Sequence, residues 1–203
     1  MARYTGPKTK ISRIFGEPIL GNGKWLNKNS NPPGQHGEKR KRKTMGEYAL
    51  QLREKQKAKR MYFTQEKQFR NYFEKAFRTK GVTGEILLQQ LERRLDNVVY
   101  RLGFAMSRRQ ARQLVRHGHI AVNGHKVNIP SFEVVAGQEI TIREGSKKLP
   151  MLEFAKDFAS HQNAPTWLEI DRDNYKGRVL SLPKREEIQL PVNEQLIVEL
   201  YSK

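Results

Sequence analysis

The chain has 203 residues and carries 39 Lys and Arg against 21 Asp and Glu, a formal net charge of +18, with no cysteine. That balance calls for a polyanionic partner, nucleic acid first and an acidic membrane surface second, and the missing cysteine excludes disulfides and Cys-ligated zinc or iron–sulfur sites. No apolar run approaches the ~20 residues of a membrane span, and MARYTGPKTK lacks the apolar stretch of a signal peptide, so a cytoplasmic chain with no membrane partner is expected.

With 36% hydrophobic residues there is core enough for one large or two small domains. The charge is unevenly spread. Residues 1–80 hold 21 Lys and Arg against 6 Asp and Glu, residues 81–142 hold 8 against 5, and residues 143–203 hold 10 against 10. The first part therefore supplies most of the non-specific attraction, and the neutral last third is expected to face protein.

In chain order, residues 1–43 are broken by Gly6-Pro7, Gly21, Gly23, Pro32-Pro33-Gly34 and Gly37, which leaves room for one short helix near Lys8–Phe15. The remainder reads as extended or loop, a basic extension that orders when a partner supplies contacts. Arg3, Tyr4, Lys8, Lys10 and Arg13 make a cationic arm with one aromatic for stacking on a base, the plain alternative being that Tyr4 packs on the short helix. Gln35 and His36 sit in a Gly-flanked loop where backbone amides can approach phosphate, or in an ordinary turn. The run Lys39, Arg40, Lys41, Arg42, Lys43 cannot be neutralised by six carboxylates spread over eighty residues, so a phosphate clamp is favoured over a solvated tail or a localisation signal. Gly16 and Gly21 have the spacing of a phosphate loop, but Asn22-Gly23 stands where Lys-Ser/Thr is required.

A helix is predicted from Gly46 to about Arg60, carrying Arg53, Lys55 and Lys59 as further candidate RNA contacts. Thr64 caps a second, with Phe69, Tyr72, Phe73, Ala76 and Phe77 at i, i+3, i+4, i+7, i+8. Thr83 starts another, running through Leu102 with a bend near Arg94. Ser107 caps and Gly118 ends a short helix in which Ala111, Leu114 and Val115 form the apolar stripe while Arg108, Arg112 and Arg116, four apart, form an outer face. Asn123-Gly124 then dictates a tight hairpin. Strands are expected at Val134-Val135, Glu139–Ile142, Trp167–Ile170, Gly177–Ser181 and Leu196–Leu200, and a helix over 150–162.

The candidate RNA contacts of this region are Arg108, Arg109, Arg112, Arg116 and Lys126, with His117, His119 and Asn123 interleaved; arginine suits the task through its bidentate fork and its stacking face. His117, His119 and His125 lack the Cys or carboxylate that would complete a tetrahedral metal site, so neither metal nor cofactor is expected.

The run GFAMSRRQARQLVRHGHIAVNGHKVNIPS resembles the S4-type RNA-binding module, and NPPGQHGEKRKRKTMGEYALQLREKQKAKRMYFTQEKQFRNYF at residues 31–73 is similar to the N-terminal domain of the S4 family of small-subunit ribosomal proteins; the closing LIVELYS also fits. Many members bear an N-terminal cysteine cluster for zinc; this chain resembles the zinc-free branch. The resemblance implies an α+β fold, a helical N-terminal domain with an inserted RNA-binding module of a helix pair and a small antiparallel sheet. The expected parts are an extension over 1–43, a helical domain over 44–90 completed by 180–203, and the module with following strands over 91–179. It further implies direct binding of 16S rRNA early in assembly, at a multi-helix junction of the RNA 5′ domain. A contact with ribosomal protein S5 is implied as well, sought here in Glu187–Lys203, together with a place by the messenger RNA entry channel that affects decoding accuracy. Arg94-Leu95-Asp96 also resembles the core of the pseudouridine synthases, some of which carry this module. In that alternative Asp96 is the nucleophile, but the 61 residues after Ile142 are too few for a catalytic sheet, and the plain reading is a surface Asp pairing Arg93 or Arg101.

Overall fold

The computed structural model describes residues 4–20, 24–37, 45–160, 164–188 and 190–202. The chain is α+β and divides into two compact units, Met1–Glu74 with Pro191–Lys203, and Lys75–Leu190. In the second unit the helix after Thr83 is tied to the later chain, where Gln89 Nε2 donates to the Pro183 carbonyl at 3.1 Å.

The first unit is helical. It contains α1 (Lys8–Phe15), α2 (Lys24–Lys28), α3 (Glu47–Met61), most of α4 (Glu66–Arg78) and, as the last helix of the chain, α9 (Glu194–Ser202). The single turn α2 occupies a stretch read as loop; the Gly and Pro residues flank Lys24–Lys28 and do not interrupt it. A larger correction concerns Leu196–Leu200, which is helix and not strand. Asn193 Oδ1 accepts from the Gln195 N–H at 3.0 Å, and the inward positions follow a four-residue step, Ile197 at 0% exposure and then the half-buried Tyr201, stacked on Phe73 at 4.6 Å. Alternating Leu196, Val198 and Leu200 therefore record apolar composition and not a sheet face. Phe77, counted in the α4 stripe, is 63% exposed.

The second unit holds α5 (Thr83–Glu92), α6 (Leu95–Arg101), α7 (Arg108–Arg116), α8 (Pro150–Ser160) and the strands β1 (Ile120–Val122), β2 (His125–Lys126), β3 (Glu139–Ile142), β4 (Leu168–Asp171) and β5 (Lys176–Val179). Among the described residues the sheet is five-stranded and antiparallel in the order β2-β1-β3-β5-β4, with Ile120 opposite Ile142 and Leu168 opposite Val179. Its inner face packs with Val98, Val99, Leu102, Leu114, Val115, Leu152 and Trp167 in one apolar core.

Where one bent helix was expected, α5 and α6 are separate. Arg94 is extended (φ −64°, ψ 135°), and the backbone groups freed there are satisfied by residues 130–134: Leu95 N–H donates to Phe132 O at 2.8 Å, and Val134 N–H to Arg93 O at 2.9 Å. Val134-Val135 accordingly form no strand; the segment makes a single bridge, Arg94 with Glu133.

Candidate nucleic-acid interface

The α7–hairpin element is built as its sequence demands. Ser107 Oγ accepts from the Gln110 N–H at 3.3 Å to cap α7, and Gly118 (φ 74°) releases the chain into β1. Asn123 (φ 48°) and Gly124 (φ 80°) are both left-handed, as a two-residue type I′ turn requires. The Asn123 side chain ties that turn to β3, since its Oδ1 accepts from the Glu139 N–H at 2.9 Å.

The arginines of α7 do not share one outer face. Arg112 is buried, 8% exposed, and its Nη1 lies 3.6 Å from Asp96 Oδ2. Arg108 donates to Asn97 Oδ1 at 2.7 Å, lies 3.9 Å from Glu92 Oε1, and has its guanidinium 4.9 Å from the Tyr100 ring centroid. The acceptors are themselves buried: Asp96 is gripped by Arg94 through Nε at 3.1 Å and Nη2 at 2.8 Å, and Glu92 by Arg101 at 3.1 and 2.9 Å and by Asn97 at 2.7 Å. Arg94, Arg101, Arg108 and Arg112 thus converge on two carboxylates. Desolvation penalises both charges of such a pair, and their mutual hydrogen bonding offsets it, so loss of either partner strands the other.

Asp96 pairs with Arg94 and Arg112, not with Arg93 or Arg101, and lies inside the protein rather than on a helix surface. A carboxylate clamped by two guanidiniums is a poor nucleophile and is closed to a base, which removes the enzyme alternative at the residue it depended on.

Arg109 is half-buried and Arg116 exposed, and among the described residues neither has an ion-pair partner. His117, Asn123, His125 and Lys126 are exposed beside them. His119 is partly buried with Nδ1 2.8 Å from Ser146 Oγ; burial, then the neighbouring His117 and Arg143, hold its pKa below 6.5, so it is neutral at pH 7. Arg143, not singled out in the sequence, donates to the Gly118 carbonyl at 3.2 Å and brings a further exposed cation to this face. Among the described residues no group of three His, Asp or Glu is placed to hold a metal ion, and no helix is long and apolar enough to cross a membrane.

In the first unit the expected contacts separate in the same way. Lys8, Lys10, Gln35 and His36 are exposed, the last two in a turn closed by the Gly37 N–H on Gly34 O at 3.1 Å. Arg13 is engaged with the chain itself, donating to Asn31 O at 2.8 Å, and the Tyr4 ring lies beneath Arg60 at 4.7 Å. Arg53 donates to Phe15 O at 2.7 Å. Lys55 and Lys59 both bind Glu66, at 2.7 and 2.6 Å. Burial opposes ionisation of Glu66, but hydrogen bonds from Lys55, Lys59 and Tyr201 override it and hold the carboxyl at about 2. Arg3 and Lys39, Arg40, Lys41, Arg42 and Lys43 lie outside the described residues.

What sequence reasoning missed was Glu92, and the place of Asp96 as a buried partner of Arg94 and Arg112. Their signal was present: two carboxylates four apart, matching Arg108 and Arg112 four apart.

Comparison with known proteins accords with this geometry. The family described as ribosomal protein S4/S9 N-terminal domain matches residues 3–92, and the S4 domain matches residues 93–140. Over the whole of both chains, the sequence is 62% identical to small ribosomal subunit protein uS4 of Koribacter versatilis. It is 59% identical to that of Parabacteroides distasonis and 52% identical to that of Persephonella marina, again over both whole chains.

Proposed function

Because the chain belongs to the uS4 family of small ribosomal subunit proteins, structural proteins of the cytoplasmic ribosome and not enzymes, we propose that it binds 16S rRNA directly. In this reading it holds a multi-helix junction of the RNA 5′ domain early in subunit assembly. The observation that carries this is the division of the α7 arginines. Arg108 and Arg112 fix the helix against buried carboxylates, which leaves Arg109, Arg116 and Lys126 presented on a rigid element. Cations held this way meet phosphates without first losing side-chain and backbone freedom, and A-form RNA is read by backbone geometry rather than through its deep major groove. In the first unit, taken by itself, Lys8, Lys10 and the Gln35–His36 turn are exposed.

Protein contact is assigned to α9 and the start of α3. Tyr48 and Leu50 are 63% and 41% exposed there, while Gln51 Nε2 on Glu199 at 2.9 Å and the Asn193 N–H on Glu54 at 3.1 Å fasten the two helices. Ribosomal protein S5 is the partner proposed for this surface, with messenger RNA passing nearby at its entry channel and decoding accuracy sensitive to the contact.

The test is filter binding of the purified chain to a 16S 5′-domain transcript at several salt concentrations. Arg109→Ala, Arg116→Ala and Lys126→Ala combined are expected to weaken binding and flatten the salt dependence, by up to about 0.9 in log–log slope for each phosphate left without its cation. Unchanged affinity and slope overturn the assignment of this face.

A further inference from the structure

Phe154, at 66% exposure, is the most exposed large apolar side chain among the described residues, and Phe158, one turn along α8, is 42% exposed. The inward side of this helix is ordinary core: Leu152 and Ala155 at 0% and Ala159 at 4%. The outward side repeats an acid-then-aromatic pair, Glu153-Phe154 and Asp157-Phe158, and all four residues are exposed. Neither carboxylate has an ion-pair partner among the described residues.

The cation of the helix is taken mainly by a carboxylate outside this face, Asp157 acting on it only at longer range. Lys156 is held at 2.5 Å by Asp173, from the turn between β4 and β5. Asp171, the last residue of β4, accepts from the Asn174 side chain at 2.6 Å and from the Asn174 backbone N–H at 3.1 Å, which keeps its carboxyl below the usual range. A protein of net charge +18 thus carries one aromatic stripe edged by carboxylates.

That chemistry selects its occupant. Exposed aromatics can stack on bases, but these are flanked by anions that repel phosphate, and an anionic lipid surface is disfavoured for the same reason. Two copies meeting face to face would oppose like charges. A cationic, partly apolar peptide satisfies both features, with Lys or Arg on the carboxylates and over the rings and an apolar residue between Phe154 and Phe158. An 11-residue helix is only about 16 Å long, enough for a short linear segment and too small for a standard globular interface. We propose that the Glu153–Phe158 face of α8 docks a Lys/Arg-rich segment of a protein neighbour in the small subunit. The inference rests on the ribosomal reading above. Binding through so small a face is made effective by the high local concentration inside an assembled particle.

The experiment places a photo-crosslinker on the face, Phe158→p-benzoylphenylalanine and separately Phe154→p-benzoylphenylalanine, in the full-length chain expressed in cells. Small subunits are isolated by sedimentation, irradiated, and their cross-linked peptides identified by mass spectrometry. The expected result is a cross-link into a segment where Lys and Arg outnumber Asp and Glu, with yield lowered about tenfold by Glu153→Lys with Asp157→Lys. Cross-linking to rRNA overturns the proposal, as does a neutral or acidic protein segment, or no cross-link at all with normal chain content in the subunit. Absence of the unmodified chain from the subunit peak overturns the ribosomal reading and this inference with it, so the two failures are told apart by sedimentation alone.

Discussion

Two basic helices contrast, α3 with five cations, Arg53, Lys55, Lys57, Lys59 and Arg60, of which Arg53, Lys55 and Lys59 read as RNA contacts, and α7 with four, Arg108, Arg109, Arg112 and Arg116, all of which do. On α3 all five meet a partner within the chain: Phe15 O, Glu66, Glu17 and the Tyr4 ring among them. On α7 two are taken and two presented. The acceptors also differ. Glu66 leaves 47% of its side chain exposed, whereas Glu92 and Asp96 leave 1% and 6%. A count of Lys and Arg therefore says how strongly a segment attracts phosphate from a distance, while buried carboxylates decide which of those cations a phosphate can touch.

The largest effect that would break this comparison lies at Arg112. Replacing it by Ala leaves Asp96 with Arg94 alone in a desolvated site, and a loss of about 3–5 kcal/mol in urea denaturation is expected. Arg116→Ala, at an exposed position, should stay within about 0.5 kcal/mol of the parent. Equal stability of the two variants would show that the arginines of α7 are interchangeable after all.

Next in size is the effect on RNA. Arg116→Ala should lower affinity for the 5′-domain transcript by more than Lys59→Ala, since Lys59 is already spent on Glu66 at 2.6 Å. Each phosphate deprived of a cation that truly touches it should reduce the log–log salt slope by about 0.7–0.9. If Lys59→Ala lowers the slope as much as Arg116→Ala, the ion pair at Glu66 opens on binding and the contrast between the helices disappears.

This division was half legible in the sequence. Local rules were sufficient for α1, α7 and the Asn123-Gly124 turn, because a cap, an apolar stripe and left-handed residues act within a few positions of one another. They failed at Leu196–Leu200, where Ile197 is buried and the half-buried Tyr201 stacks on Phe73, in a helix more than a hundred residues earlier. They failed also at Arg94, whose extended backbone is held by carbonyls and amides of the 130–134 segment. The same limit applies to the site: periodicity put Arg108, Arg112 and Arg116 on one face of α7, but only tertiary packing brings Glu92 and Asp96 against the first two.

A smaller effect tests the α3 side. Glu66 falls from its ordinary 4.5 to about 2, which at full value corresponds to ~3 kcal/mol. Solvent screening of its half-exposed side chain brings this to roughly 1 kcal/mol. The folded-state value is depressed, so the contribution is complete above 4.5 and is lost as pH falls toward 2. Glu66→Gln should therefore be less stable than the parent at neutral pH and equal to it in acid. A constant difference across that window would assign the contribution to packing of Tyr201 rather than to the charge of Glu66.

The smallest effect separates folding from binding within the α7 face itself. Burial, with His117 and Arg143 nearby, depresses the His119 pKa below 6.5, so the folded chain resists a proton that the unfolded chain accepts. Stability should then decline slightly as pH drops through 6.5, and His119→Phe should abolish that part of the decline. RNA reverses the sign. Phosphates drawn to Arg116 and Lys126 would favour the protonated imidazole, so affinity should rise over the interval, from about pH 7.5 to about pH 5.5, in which stability falls. Proton uptake on binding, measured by calorimetry in two buffers of different ionisation enthalpy, reads this directly. An uptake that survives His119→Phe would place the proton on another group of the complex. No uptake in the parent would mean that phosphates pass Arg116 without approaching the imidazoles, narrowing the RNA face to α7 and the hairpin tip.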